Sequence, residues 1–182
     1  MKSQLMLFVG IALIVGVAYG GLMYFQKKST VNQNESSQVT APEMSDAEKT
    51  LRSMDDRERT AIQLGQAQLA VEVIHETESL ILGLSGRESI GSDGLLFLMP
   101  NRAVQSFWMK DMKFDIDIIW IDGSKVVGIS KNVPHPDPGT LLGDLPSYDS
   151  ILPATIVLEV AAGKTEEYKI TVGDELRLLT VQ

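Results

Sequence analysis

Residues 107–123 read FWMKDMKFDIDIIWIDG. This stretch holds both tryptophans and two of the five phenylalanines of the chain. Its pattern is strand, break, strand. Residues 107–110 alternate and end in charge, and Asp111, Met112 and Lys113 interrupt the apolar character. Residues 116–121 form a β-branched run with one acid, Asp117, inside it. Continuous β-branched segments of this length favour a buried strand over a helix. Asp122-Gly123 is then a hairpin signal, with residues 125–131 as the returning arm.

The same reading extends outward in both directions. Residues 61–64 and 68–74 are strand-like around a break at Gly65, and 66–73 alternates as a strand with one wet face. Thr77 is placed as a helix N-cap with Glu78 in the first turn, giving a short helix closed at Gly83 or Gly86. Residues 94–99, GLLFLM, read as a buried strand ended by Pro100-Asn101. Residues 132–153 carry five prolines and no periodicity, the mark of a functional or mobile loop. Strands follow at 155–160 and 175–181, around a turn or short helix at 161–167. Many short strands with one or two short helices predict a mostly β domain, a small β-sandwich or barrel.

Composition bounds the rest. The chain has 182 residues and a net charge of −8. Residues 1–28 contribute +3, residues 29–60 −3, and residues 61–182 −8. An acidic globular part argues against nucleic acid, whose backbone demands clustered Lys and Arg. The absence of cysteine excludes disulfides, thiolate zinc sites and a Cys nucleophile. Residues 5–25, from Leu5 to Phe25, are uncharged and lie between Lys2 and Lys27-Lys28. That length spans a bilayer core of about 30 Å, so residues 1–28 read as an N-terminal transmembrane helix rather than a cleaved signal peptide. The cytoplasmic membrane is the expected location, single-pass, with the domain outside; cleavage would make it secreted. Residues 29–60 read as a flexible polar linker. Ser45 and Glu48 could cap a short charged helix there, but its sparse apolar positions predict a solvated one. Residues 61–182 form the globular β domain.

Several side chains are candidates for chemistry. Trp108 is a possible platform for a sugar or another flat ligand, or simply a cover for the core edge. Asp117 lies among isoleucines and is costly to bury unless paired, with Arg87, Lys110 or Lys113 as expected partners. A structural ion pair and a general acid or base with a raised pKa both fit it, and the same logic applies to Glu159. Were Asp117 and Glu159 to converge on one cleft, they would supply the carboxylate pair of a glycosidase. Arg87 closes a glycine-rich turn and could hold a ligand acid, or tie the helix end to Asp117, Glu159 or a carbonyl. His135 and Asp137 are posed by flanking prolines, but no third ligand is near and no metal is expected. Met109 and Met112, three apart in a strand, should face opposite ways. No nucleotide fingerprint or serine elbow occurs, and no cofactor is expected.

The segments Gly83-Leu84-Ser85-Gly86-Arg87, Gly94-Leu95-Leu96-Phe97, Phe107-Trp108-Met109-Lys110, Ile116-Asp117-Ile118-Ile119, Leu158-Glu159-Val160-Ala161-Ala162-Gly163 and Gly173-Asp174 occur in a telling order. In this order they resemble the domain of unknown function 192 family over about residues 61–182. That family often has a Met and an aromatic where Ser85 and Gly86 stand, and a Met where Leu95 stands. The resemblance implies a compact, mostly β domain, often exported or membrane-tethered in prokaryotes, with no established general activity. The residues and the resemblance together lead to a membrane-tethered extracytoplasmic domain. It would bind a small or glycan-like ligand, or a partner protein, in a groove between residues 107–121 and 132–153. Arg87, Trp108, Lys110, Asp117 and Glu159 are the expected walls. The alternative is an envelope glycan hydrolase or lyase using Asp117 and Glu159.

Overall fold

The structure, a computed structural model, describes residues 44–179. The elements in order are α1 (Asp46–Arg52), β1 (Arg59–Leu64), β2 (Ala67–Ile74), α2 (Thr77–Leu82), β3 (Gly94–Ala103), β4 (Ser106–Trp108), β5 (Ile116–Asp122), β6 (Lys125–Val133), β7 (Ser147–Asp149), β8 (Ala154–Ala161), α3 (Lys164–Glu167) and β9 (Leu176–Leu178). The fold is mostly β with few short helices. Among the described residues, no helix is long and apolar enough to cross a membrane. The membrane segment expected at residues 5–25 lies outside the described residues.

Seven strands form one sheet in the order β6-β5-β8-β3-β2-β1-β9, and β4 pairs with β7 in a separate ribbon. Every neighbouring pair is antiparallel except β2–β3. A parallel pair needs a long crossover, and residues 75–93, with α2, supply it. The sheet then curls until its edges meet at one end. Val126 N–H donates to Asp174 O at 2.9 Å, Gly173 N–H to Val126 O at 2.8 Å, and Leu176 N–H to Ser124 O at 2.7 Å. The result is a half-barrel made of one sheet, not a sandwich of two facing sheets.

Strand alternation builds a core on each face. Leu96, Leu98, Ile119, Ile121, Ile156, Leu158 and Val160 point into the curl, where Val71 and Val73 join them. Leu95, Phe97, Ile118, Trp120 and Val157 point outward. Leu84 and Ile90 of the crossover cover that outer face, with Met109 and Met112 beside them. The two methionines share this core, contrary to the strand spacing, because a turn with Asp111 at φ 56° separates them. The ribbon docks through Phe107, whose ring lies edge-on to Phe97 at 5.1 Å and to Trp120 at 5.5 Å. Gly94 is required where β3 meets β8: a Cβ there would stand 2.7 Å from Leu158 Cδ1 and 2.9 Å from the Glu159 carbonyl.

Three local expectations change. α1 is not solvated: Leu51 enters the inner core and Glu48 is buried. Ser45 does cap it, accepting the Glu48 N–H at 3.1 Å. Leu51, with Ala47 and Met54 packed beside it, suffices because the curled sheet leaves an apolar interior to close. Thr77 lies inside α2 rather than capping it, and Gly83 at φ 50° ends the helix. The Pro-rich loop is partly ordered into β7, which pairs with β4.

Candidate functional site

Asp117 and Glu159 lie on adjacent strands but on opposite faces of the sheet. In the β5–β8 register Asp117 stands opposite Val160, and Ile118 opposite Glu159. Side chains directly across share a face, so Asp117 points into the curl and Glu159 points out. They do not converge on a cleft, and no glycosidase pair exists between them.

Their surroundings differ as well. Asp117 is fully buried. Its Oδ1 accepts the Asn132 N–H at 2.8 Å. Its Oδ2 accepts the Thr165 N–H at 3.0 Å and the Thr165 hydroxyl at 2.6 Å. None of the expected cations, Arg87, Lys110 or Lys113, is its partner. The β5–β6 register slips between Ile116 and Ile118, and Asp117 ties that bulge and the start of α3 together.

Glu159 is 6% exposed and has no hydrogen-bond donor among the described residues. Burial pushes its pKa up to about 8, with the Arg87 charge pulling the other way. Arg87 instead grips Glu72, Nη2 to Oε1 at 2.7 Å and Nη1 to Oε2 at 3.0 Å. Arg57 adds a third bond to Glu72 at 2.9 Å. The Arg87 hydrogen bonds hold the Glu72 carboxyl below its ordinary value against burial, helped by the charges of Arg87 and Arg57. Arg87 also donates to the Ile90 carbonyl at 3.2 Å within the crossover, which its grip on Glu72 fixes to the sheet. Glu72 went unnoticed as an acid of interest because alternation places it on the face read as wet. The crossover that buries it comes later in the chain.

A groove does open between the 107–121 region and the Pro-rich loop. It is a cleft of about 610 Å³, with Lys110, Asp111, Met112 and Lys113 on one side and residues 135–140 with Leu142 and Leu145 on the other. Of the five expected wall residues, Lys110 lines it. Arg87, Asp117 and Glu159 belong to the sheet faces, and Trp108 is half exposed on the ribbon, opposite Ser147.

The lining is held in place by local bonds. Gly86 N–H donates to Asp111 O at 2.9 Å, and the Ser85 hydroxyl donates to Lys110 O at 2.7 Å. Lys110 pairs with Asp111, and Lys113 with Glu88. His135 donates its backbone N–H to Asp115 Oδ1 at 2.8 Å, and its Nδ1 meets the same oxygen at 2.5 Å. A carboxylate can only accept, so Nδ1 carries a proton and donates it to Asp115, which fixes the ring and leaves Nε2 outside this bond. The His135 backbone N–H, then its ring, hold Asp115 below the ordinary carboxylate range. Sequence reading singled out His135 but missed Asp115, twenty residues earlier. No metal site forms here: among the described residues, no three of His, Asp and Glu come together to hold an ion.

A second cleft, of about 480 Å³, lies on the other side of the 113–115 segment. Glu88, Asp93, Phe114, Asp115, Ala161, Lys164 and Tyr168 contribute to it.

A family model, DUF192, described as Uncharacterized ACR, matches residues 60–178. A crystal structure of a protein of unknown function from Novosphingobium aromaticivorans DSM 12444 is similar, at 21% identity and a TM-score of 0.57. That match covers 65% of this chain and 84% of the other. A Sinorhizobium meliloti 1021 protein described as a "putative transcription regulator" is 25% identical, with a TM-score of 0.58, covering 69% of this chain and 97% of the other. No curated protein matches the sequence.

Proposed function

The chain belongs to the DUF192 family, and on that premise we propose that its domain is a binding module for a small polar or glycan-like ligand. The ligand would enter the cleft between Lys110–Lys113 and the Pro-rich loop. The observation that carries this reading is the lining itself. A cleft of about 610 Å³ has the size of a small-molecule site. Its lining presents Lys110, Lys113 and the His135 ring, each steadied by an acid. Groups held before the ligand arrives cost less to order on binding. Prolines at 134, 136 and 138 stiffen the facing wall.

Glycan hydrolysis by Asp117 and Glu159 is not part of this proposal, since the sheet separates the two acids. Nor do we extend the regulator description of the Sinorhizobium protein to this chain. Residues 61–182 carry −8, which disfavours a nucleic-acid partner. The uncharged run 5–25 supports a module tethered to the cytoplasmic membrane, facing outward.

The test is a titration of the full chain in non-ionic detergent with a panel of glycan fragments, sugar acids and short peptides, read by amide chemical shifts. Saturable shifts at Lys110, Lys113 and His135 are expected, weakened about tenfold by His135→Ala. A panel that moves no resonance lining this cleft at millimolar concentration overturns the reading.

A further inference from the structure

The corner between β7 and β8 carries apolar side chains that neither core uses. Ile151 is 89% exposed, more than any other large apolar side chain among the described residues, and Leu152 is 51% exposed. Val104, 57% exposed, stands across the ribbon from Ile151. The β4–β7 pairing runs on to this point: Ser150 N–H donates to Gln105 O, and Gln105 N–H to the Ser150 hydroxyl, both at 2.9 Å. The Gln105 side-chain amide donates to Asn101 O and Ala154 O, again at 2.9 Å. Buried polar bonds thus brace a corner whose tip is aliphatic. Single exposed aliphatic residues are common, whereas a braced group of them marks a contact surface.

The tip lies at the end of the sheet where the chain enters the domain. Ala103, beside Val104, pairs with Ala154. Thr155 accepts the Gly123 N–H at 3.0 Å and donates to Glu48 of α1 at 3.2 Å. The Ser45 hydroxyl, at the start of α1, reaches Gly123 O at 3.5 Å, and Met44 before it is exposed. Residues 26–43 separate this point from the uncharged run 5–25. A chain of that length spans at most about 60 Å, so a bilayer holding the run stays within reach of this end of the domain.

Other covers fit the tip less well. Residues 29–43 read STVNQNESSQVTAPE, too polar to bury it. A stable dimer buries about 800 Å² on each partner, more than three protruding side chains supply. The charges at this rim are matched, Arg102 with Asp122 and Lys49 with Asp46, and so do not repel a neutral lipid surface. Asp149, two residues before Ile151, is exposed and accepts the Ser147 hydroxyl at 2.8 Å. It limits insertion to the depth of the tip.

We propose that Val104, Ile151 and Leu152 form a membrane-contact site, which inserts among the phospholipid headgroups of the leaflet that the domain faces. This rests on the reading of residues 5–25 as a membrane span. Aliphatic side chains placed at the headgroup boundary hold a protein surface to a bilayer through their buried apolar area. The cleft lined by Lys110 lies past the other end of β4, so this contact leaves it open to solvent.

The experiment puts the full chain into phosphatidylcholine nanodiscs carrying a lipid with a nitroxide on its headgroup, and reads side-chain methyl resonances. The methyl signals of Val104, Ile151 and Leu152 are expected to lose intensity. Those of Ile81 and Leu141, also exposed, should keep theirs. Ile81 belongs to α2, whose end is bonded to the turn after β4 through the Ser85 hydroxyl and Lys110 O, and Leu141 lies in the loop before β7. The double variant Ile151→Ser, Leu152→Ser removes no core contact and should restore the Val104 signal. Full tip intensity in a chain retained by the discs overturns the contact site and leaves the span standing. Equal losses at Ile81 and Leu141, or losses at Val104 that the double variant does not relieve, overturn it as well. Tip resonances that shift with protein concentration in detergent, and keep their intensity in discs, assign the tip to a second copy instead. A chain that the discs do not retain overturns span and tip together, while the cleft is judged by its own titration.

Discussion

Asp117 and Glu159 occupy adjacent strands and are both buried, yet they do opposite things to the protein. The inner-face acid accepts three bonds, two from backbone N–H groups and one from a hydroxyl. Among the described residues the outer-face acid accepts none, and the nearby charge of Arg87 is what offsets its burial. A buried carboxylate is thus a structural tie or a pH-sensitive liability according to its donors, not its depth. The two faces also divide the work. The inner face is sealed by α1, whereas the outer face carries the crossover and the β4–β7 ribbon, beside which the clefts open.

The sharpest way to break this contrast is Asp117→Ala. It leaves three donors of Asn132 and Thr165 without an acceptor, at about 1–3 kcal/mol each where burial is complete. A loss of about 4 kcal/mol in chemical denaturation is expected, close to the whole stability of a marginal domain. Wild-type stability in this variant would show that Asp117 is not a tie.

Arg87→Met tests the outer face. It removes the bidentate grip on Glu72 and, among the described residues, the countercharge near Glu159. Arg87 is partly exposed, so the effect should fall at the low end for a broken buried pair, about 3 kcal/mol at neutral pH. Equilibrium denaturation measures it.

Glu159→Gln separates the two acids by pH. The folded protein retains the Glu159 proton up to about pH 8, while an unfolded carboxyl releases it near its ordinary 4.5. The folded state therefore binds more protons between those values, and wild-type stability should fall as pH rises across them. The linkage is at most about 5 kcal/mol. The Gln variant should lose this slope, so that it gains on wild type toward pH 8. Glu72 acts in the other direction: its contribution should disappear as pH falls through its lowered value. Melting temperatures measured from pH 4 to 9 in both proteins read these slopes; parallel profiles would show that Glu159 does not titrate this way.

The smallest expected effect on stability belongs to the cleft. His135→Ala removes an exposed pair worth less than about 1 kcal/mol. Its melting temperature should barely move while ligand-induced shifts in the first cleft weaken. A large loss of stability would make His135 a structural residue instead.

The architecture was largely legible because strand signals are local. Residues 116–121 and 94–99 announce themselves by β-branched and apolar content, and Asp122-Gly123 marks the hairpin. A cleft does open between the proline-rich loop and the central stretch, with Lys110 alone of the five expected wall residues in its lining. Its chemistry was harder to read. Trp108, Arg87, Asp117 and Glu159 stand out because large or charged residues in apolar runs attract notice, yet such residues are often there for packing. Asp115 gave no such signal, as one acid in a charged segment.

From the residues alone came the alternation that makes strands, the hairpin, the acidic balance, the uncharged run at 5–25 and the family likeness. These depend on neighbours a few positions apart. Only the tertiary structure decided that one sheet curls on itself, that Asp117 and Glu159 part across it, and that His135 finds Asp115 while Arg87 finds Glu72. Those outcomes depend on strand order and register, which bring distant residues together, and no short stretch of sequence carries that information.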